Sequence, residues 1–149
     1  MVDRLRRFLE ESVIDGEIIE LEQNTKSAKQ AAQALGTDKD SIIKSLVFLV
    51  DDEPYLVVVP GPARVDEDKL CEALEAEEAR IASPEEVEEF TGYEVGGVPP
   101  VSLPLPKVID EAVVGKQEVY GGGGSGNHVL RIDPRFIVDE DSVTADVTE

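Results

Sequence analysis

Ile42-Ile43-Lys44-Ser45-Leu46-Val47-Phe48-Leu49-Val50 is followed by Asp51-Asp52-Glu53-Pro54 and then by Tyr55-Leu56-Val57-Val58-Val59. Two runs rich in β-branched residues, joined by an acidic turn that contains proline, predict a β-hairpin. The first run is apolar on both faces, except for Lys44 and Ser45 at its start. In a strand, Ile42, Lys44, Leu46, Phe48 and Val50 share one face, and Ile43, Ser45, Val47 and Leu49 share the other. Whichever face is inward, a lysine or a serine lies near the core. Such a lysine either aims its cation into a cleft, neutralising a phosphate or polarising an ester carbonyl, or snorkels to solvent at the strand end. The spacing leaves both readings open.

Outward from the hairpin the chain alternates helices and strands. Residues 3–11 place Leu5, Phe8 and Leu9 at helical spacing, with Arg4, Arg6 and Arg7 on the other faces. Glu17-Ile18-Ile19-Glu20-Leu21 reads as a short strand. Thr25 is the expected cap of an alanine-rich helix over 27–35, closed by Gly36. Residues 38–41 form a turn, and Pro60-Gly61-Pro62 forms another. Asp66 is expected to cap a helix over 67–75, and residues 79–82 to form a short edge strand. Ser83-Pro84-Glu85-Glu86 combines a capping serine, a proline at the first position and a glutamate three residues after the cap, so a helix starts there and stops at Gly92. Strands are predicted at 107–110, 118–120 and 128–132. Asp133-Pro134-Arg135-Phe136 opens a helical turn. The acidic tail, 139–149, either frays or adds one edge strand. This pattern predicts an α/β (α+β) fold, a single compact domain over 1–149 with one mixed or barrel-like sheet flanked by helices. Too few strands are joined by helices for a doubly wound nucleotide fold.

The 149 residues are 41% hydrophobic, without tryptophan, so the core is built from Val, Ile, Leu and Ala. No apolar stretch is long enough to span a membrane, and the first residues lack the apolar segment of a signal peptide. One cysteine, Cys71, excludes an internal disulfide and a multi-cysteine metal site. A cytoplasmic location is the expectation. Lys and Arg number 14 against 33 Asp and Glu, a net charge of −19. Such a surface repels nucleic acid at long range in low salt. Either the protein never meets nucleic acid, or Arg4, Arg6 and Arg7 form a local basic patch, or the chain works in a salt-rich cytoplasm where screening is short-ranged. Acidic residues spread over the whole chain, with lysine scarce, favour a halophilic habit.

Gly92-Tyr93-Glu94-Val95-Gly96-Gly97-Val98-Pro99-Pro100 is the second informative stretch. Its glycines permit positive φ and close substrate approach, and its prolines stiffen the loop. Backbone N–H groups held in such a loop can stabilise an oxyanion without any side chain; a plain structural turn has the same composition. Gly121-Gly122-Gly123-Gly124-Ser125-Gly126 lacks the lysine and following helix of a phosphate-binding loop, and reads either as a hairpin tip or as a second wall of the same pocket. His128 has no second histidine or cysteine beside it for a metal site. Acidic neighbours raise the thiol pKa of Cys71, which reads as packed and inert.

Taken in order, these segments resemble the YbaK/ProX family of aminoacyl-tRNA editing domains, also found inserted in prolyl-tRNA synthetases. The resemblance runs from Thr25-Lys26-Ser27-Ala28 through Ile43-Lys44-Ser45-Leu46-Val47-Phe48, Val57-Val58-Val59-Pro60-Gly61 and Thr91 to Pro100, then Val108-Ile109-Asp110 and Gly122-Gly123-Gly124, about 25–138. It implies hydrolysis of the ester between a misattached amino acid and the terminal adenosine of tRNA, with cysteinyl- or alanyl-tRNA for proline as substrates. It implies catalytic roles for Lys44, Gly96 and Gly97, and substrate contacts from Thr25, Ser45, Val98, Pro99, Pro100, Gly123, Gly124 and Ser125. No cofactor and no metal are implied. The expected partner is the tRNA acceptor end, with an aminoacyl-tRNA synthetase as a second candidate and no membrane. Family members often carry glycine two residues after the loop proline, where this chain has Ser102. The alternative reading is a non-catalytic module that binds a nucleotide or aminoacyl group beside a synthetase.

Overall fold

A computed structural model describes residues 2–12, 14–22 and 28–149. The predicted hairpin is its centre. Strands β2 (Ile43–Val50) and β3 (Glu53–Pro60) pair antiparallel, from Ile43 opposite Pro60 to Val50 opposite Glu53. Asp51 and Asp52 both take positive φ, 49° and 66°. That conformation suits a two-residue hairpin turn, so Glu53 and Pro54 belong to the strand and not to the turn expected from the sequence. Around this pair a five-stranded sheet forms in the order β4-β2-β3-β5-β8. Its edges are β4 (Ala79–Ile81) and β8 (Val143–Ala145), and β5 (Lys107–Asp110) runs parallel to both β3 and β8. The acidic tail therefore adds an edge strand. Lys69 fastens it, donating to Asp146 Oδ2 at 3.0 Å and to the Thr148 carbonyl at 2.8 Å.

A second, antiparallel sheet has the order β1-β7-β6, from β1 (Gly16–Glu20), β7 (His128–Ile132) and β6 (Val119–Gly122). The α+β domain with mixed sheet pairing is as expected, but the one mixed or barrel-like sheet is instead two open sheets, linked by a parallel bridge between Ile42 and Tyr120. The first sheet ends at β4 and β8 and the second at β1 and β6, so neither closes on itself.

Five α-helices lie among the described residues: α1 (Val2–Glu11), α2 (Ala28–Leu35), α3 (Glu67–Leu74), α4 (Pro84–Thr91) and α5 (Glu111–Val114). The caps follow the sequence. Asp66 Oδ1 accepts from the N–H groups of Asp68 and Lys69. Ser83 and Glu86 form a reciprocal capping box, and Gly36 and Gly92 close their helices at φ 68° and 77°. Helix α5 had no counterpart in the sequence reading. It is one turn long and is started by Asp110, whose Oδ2 accepts from the Ala112 N–H.

Both faces of the central hairpin are covered, which accounts for its near-continuous apolar sequence. Ile43, Val47, Leu56 and Val58 pack with Leu5, Tyr93, Val98 and Leu130 on one side. Phe48, Val50, Val57 and Val59 pack with Leu70, Val108 and Val147 on the other. The period-two alternation thus separates two cores across one sheet.

Candidate functional site

Lys44 leaves β2 on the face of Phe48 and Val59, at the end of the strand where that core gives way to an open groove. The groove has a volume of about 930 Å³ and is lined by Lys44, Leu46, Phe48, Ile81, Pro62 to Asp68 and Glu149. Lys44 is half-buried and has no ion-pair partner among the described residues. Its pKa is lowered, first by burial and then by the charge of Arg64. Of the two readings of this lysine, a cation directed into a cleft fits the surroundings. Arg64 was not singled out by sequence reasoning. Its signal would have been a lone arginine in the turn after β3, which resembles any solvated loop charge.

The glycine loops meet on the opposite face of β2. Glu94 to Gly97 form a turn closed by the Gly97 N–H donating to the Glu94 carbonyl at 3.0 Å, with Gly96 third at φ 91°. That third position demands glycine. The Gly124 N–H then donates to the Gly97 carbonyl at 2.9 Å. The packing is backbone against backbone. A Cβ on Gly97 would stand 2.9 Å from Ser125 Cα, and one on Gly122 would overlap the Val98 carbonyl. Gly121 lies against Ile43 and Pro100. The Gly121–Ser125 stretch is therefore a built wall beside the Gly96–Pro100 loop, not a loose hairpin tip. Because Ile43 precedes Lys44, both features share one end of β2, although no hydrogen bond or ion pair joins Lys44 to either loop.

The other expected site residues fall as follows. Gly97, Val98, Pro99, Pro100, Gly123 and Gly124 are buried, and Gly96 is exposed. The Gly97 N–H is already bonded, and the Gly96 N–H, like those of Val95 and Val98, makes no backbone bond among the described residues. Ser45 turns its Oγ into the core face, buried and without a hydrogen-bond partner. Thr25, the expected helix cap and substrate contact, lies outside the described residues. Ser125 Oγ sits 2.6 Å from His128 Nδ1 and donates to Asn127 Oδ1 at 2.8 Å, while His128 Nε2 is 3.7 Å from Glu20. These bonds lock the loop in place. Ser102 takes φ 69°, with its Oγ buried and unpaired. A left-handed backbone at this position favours glycine over serine. Cys71 is partly buried in α3, and its thiol pKa is raised by burial and then by Asp51 and other carboxylates, as its neighbours predict. Arg4 stacks over the buried Tyr93 ring at 5.4 Å and donates to the Thr91 carbonyl, and Arg6 pairs with Asp3, so the arginine cluster is partly committed to the fold.

Residues 22–139 match the family of the aminoacyl-tRNA editing domain. The chain belongs to that family. It is 35% identical over 117 residues to a proline–tRNA ligase of Lactobacillus acidophilus, covering 75% of this chain and only 21% of the ligase, so the chain spans about a fifth of that relative. It is 34% identical to the uncharacterized protein YwhH of Bacillus subtilis, covering 81% of this chain and 78% of YwhH. Among solved structures, a protein assigned provisionally as a trans-editing enzyme for prolyl tRNA synthetase superposes with a TM-score of 0.89 at 37% identity, covering 99% of this chain and 96% of that one. No helix among the described residues is long and apolar enough to cross a membrane.

Proposed function

We propose that this chain is a freestanding trans-editing deacylase that hydrolyses the ester of mischarged aminoacyl-tRNA, with cysteinyl- or alanyl-tRNA for proline as substrates. Membership of the editing family supports the reaction class. YwhH and the solved relative are matched over most of their own lengths, 78% and 96%, whereas the ligase is matched over 21%. The observation that carries the reading is Lys44: a half-buried cation, without an ion-pair partner among the described residues, facing an open groove in a chain of net charge −19. Retaining such a charge is costly unless an anion or a developing oxyanion meets it.

An activated ester needs little acid–base assistance, so the chain's task is positioning and electrostatics. Lys44 holds the terminal nucleotide or polarises the carbonyl. The Gly96 loop, stiffened by Pro99 and Pro100 and backed by Gly124, orients the aminoacyl group, and its free N–H stabilises the oxyanion. Gly97 contributes by admitting the Ser125 backbone, which a side chain would exclude. Water adds to the carbonyl carbon and the bond to the ribose oxygen breaks. The amino acid leaves as its carboxylate and the terminal hydroxyl regains a proton. For a cysteinyl ester the substrate thiol can attack the same carbon instead: a four-membered thiolactone forms, the ribose oxygen leaves with the thiol proton, and water then opens the thiolactone to the carboxylate. Discrimination rests on pocket size, because a small side chain offers few contacts. The acceptor end of tRNA is the partner, and a synthetase supplies tRNA choice. The acidic surface is that of a protein working in concentrated salt.

The test is deacylation of alanyl- and cysteinyl-tRNA for proline in low and in molar salt. Hydrolysis well above the spontaneous rate, strongest in high salt, is expected. Binding without acceleration would make the chain a carrier module, and a rate indifferent to salt would remove the halophilic reading.

A further inference from the structure

The groove wall that faces Lys44, Pro62 to Asp68, is laced to residues 146–149, which follow the edge strand β8. The Asp66 N–H donates to the Val147 carbonyl at 2.8 Å, and the Glu149 N–H donates to the Arg64 carbonyl at 2.9 Å. Val65 bridges to Thr148 between them. Glu149 Oε2 also reaches the Arg64 guanidinium at 3.7 Å. Where residues 146–149 go, the wall and its arginine go too. Two anchors fix this segment. On the inside, Val147 is fully buried in the core of Phe48, Val59 and Leu70, and its N–H donates to Asp110 Oδ1 at 2.9 Å. On the outside, Lys69 Nζ donates to Asp146 Oδ2 at 3.0 Å and to the Thr148 carbonyl at 2.8 Å. The backbone N–H of Lys69 donates to Asp66 Oδ1 at the start of α3, so one residue joins helix, wall and segment. A half-exposed ion pair alone contributes little; the second bond, from a charged donor to a backbone carbonyl, adds strength and direction. The electrostatic consequence lies across the groove. Arg64 is the second cause, after burial, of the lowered Lys44 pKa, so the place of the wall is felt at the lysine.

We infer that Lys69 is a positioning residue of the editing reaction: by clamping residues 146–149 it holds the wall, and with it Arg64, at a set distance from Lys44. The inference rests on the editing reading above. Lys69 is not among the residues that line the groove, so it acts through the wall.

The test follows the Lys44 titration in the full chain by NMR of isotope-labelled lysine, and measures kcat and KM on alanyl- and cysteinyl-tRNA for proline. Asp146→Asn is the main variant, because the two possible effects have opposite signs. Loss of a carboxylate acting directly would lower the Lys44 midpoint, whereas release of the clamp lets Arg64 move away and raises it. A raised midpoint is expected, and the rise should vanish when Asp146→Asn is combined with Arg64→Ala. Lys69→Met should raise KM roughly fivefold, the effect of one partly exposed charge pair, with kcat within about twofold of the wild type. Lys69→Arg should restore most of the loss. A midpoint that falls or stays in folded Asp146→Asn overturns the clamp, and so does an unchanged KM in Lys69→Met. If the wild type hydrolyses neither ester, the deacylase fails and the titration alone decides the clamp. Hydrolysis by the wild type with an unmoved midpoint in Asp146→Asn removes the clamp and leaves the deacylase standing.

Discussion

On the face of β2 that carries Ile43, the site end of the strand meets backbone; on the face that carries Lys44, it meets charge and open space. The glycine side is close-packed. Gly97, Gly122 and Gly123 lie against neighbouring main chain, leaving no room for one added carbon. The lysine side is a groove of about 930 Å³ lined by two cations, Lys44 and Arg64, and four carboxylates, Asp66, Glu67, Asp68 and Glu149. The first face stores precision, because its geometry cannot change without unpacking. The second stores electrostatic energy that a ligand can release. Substitutions should therefore act through stability on the glycine side and through binding and rate on the lysine side.

The largest effect expected is on rate. Lys44→Ala should lower deacylation by about 10²–10³-fold, as for loss of one group that stabilises developing charge. Its unfolding midpoint in urea should stay near that of the wild type, because the lysine is half-exposed and makes no ion pair among the described residues. On the other face the order reverses. Gly122→Ala drives a Cβ into the Val98 carbonyl and should cost about 3 kcal/mol in denaturant unfolding, the upper part of the range for overpacking. Gly115→Ala, with nothing within 4 Å, should stay within about 0.5 kcal/mol and serves as the control. A Gly122→Ala protein as stable as wild type would break the comparison.

Ser102→Gly should stabilise by about 1 kcal/mol. It relieves a left-handed backbone and removes an unpaired buried hydroxyl, offset by the greater freedom of glycine in the unfolded chain. The smallest effect is a titration. Lys44 has a lowered pKa from burial and, second, from Arg64. Its charge is thus present at low pH and is lost, as pH rises, earlier than that of an ordinary lysine. Arg64→Ala should move the titration upward without restoring the ordinary value, since burial is the larger cause. NMR of isotopically methylated lysine would follow it, and an unmoved midpoint would show that the two cations do not interact.

Much of this was legible in the sequence because local rules agreed with the fold. The Ser83–Glu86 capping box, the Asp66 cap and the positive-φ Gly36 and Gly92 are decided within a few residues. The parallel pairing of β5 with β3 and β8 was not legible, since it depends on partners more than thirty residues apart in the chain. Nor was the splitting into two sheets, which depends on the pairing of β1 with β7 from opposite ends of the chain, Gly16 opposite Ile132. In the site, Lys44 stood out because a cation interrupts an apolar strand. Arg64 did not, because a charge in a loop is ordinary until its neighbours are known. The glycine run was ambiguous for a similar reason: a bare loop and a backbone-packed wall have the same composition, and only the contact with Gly97 and Val98 separates them.

The most direct test of the central claim is single-turnover hydrolysis of alanyl- and cysteinyl-tRNA for proline by the wild type and by Lys44→Ala at equal folded concentration. Rapid release of at least one of the two amino acids is expected for the wild type, and a rate near the spontaneous one for the variant. A folded Lys44→Ala protein that hydrolyses as fast as the wild type would contradict it.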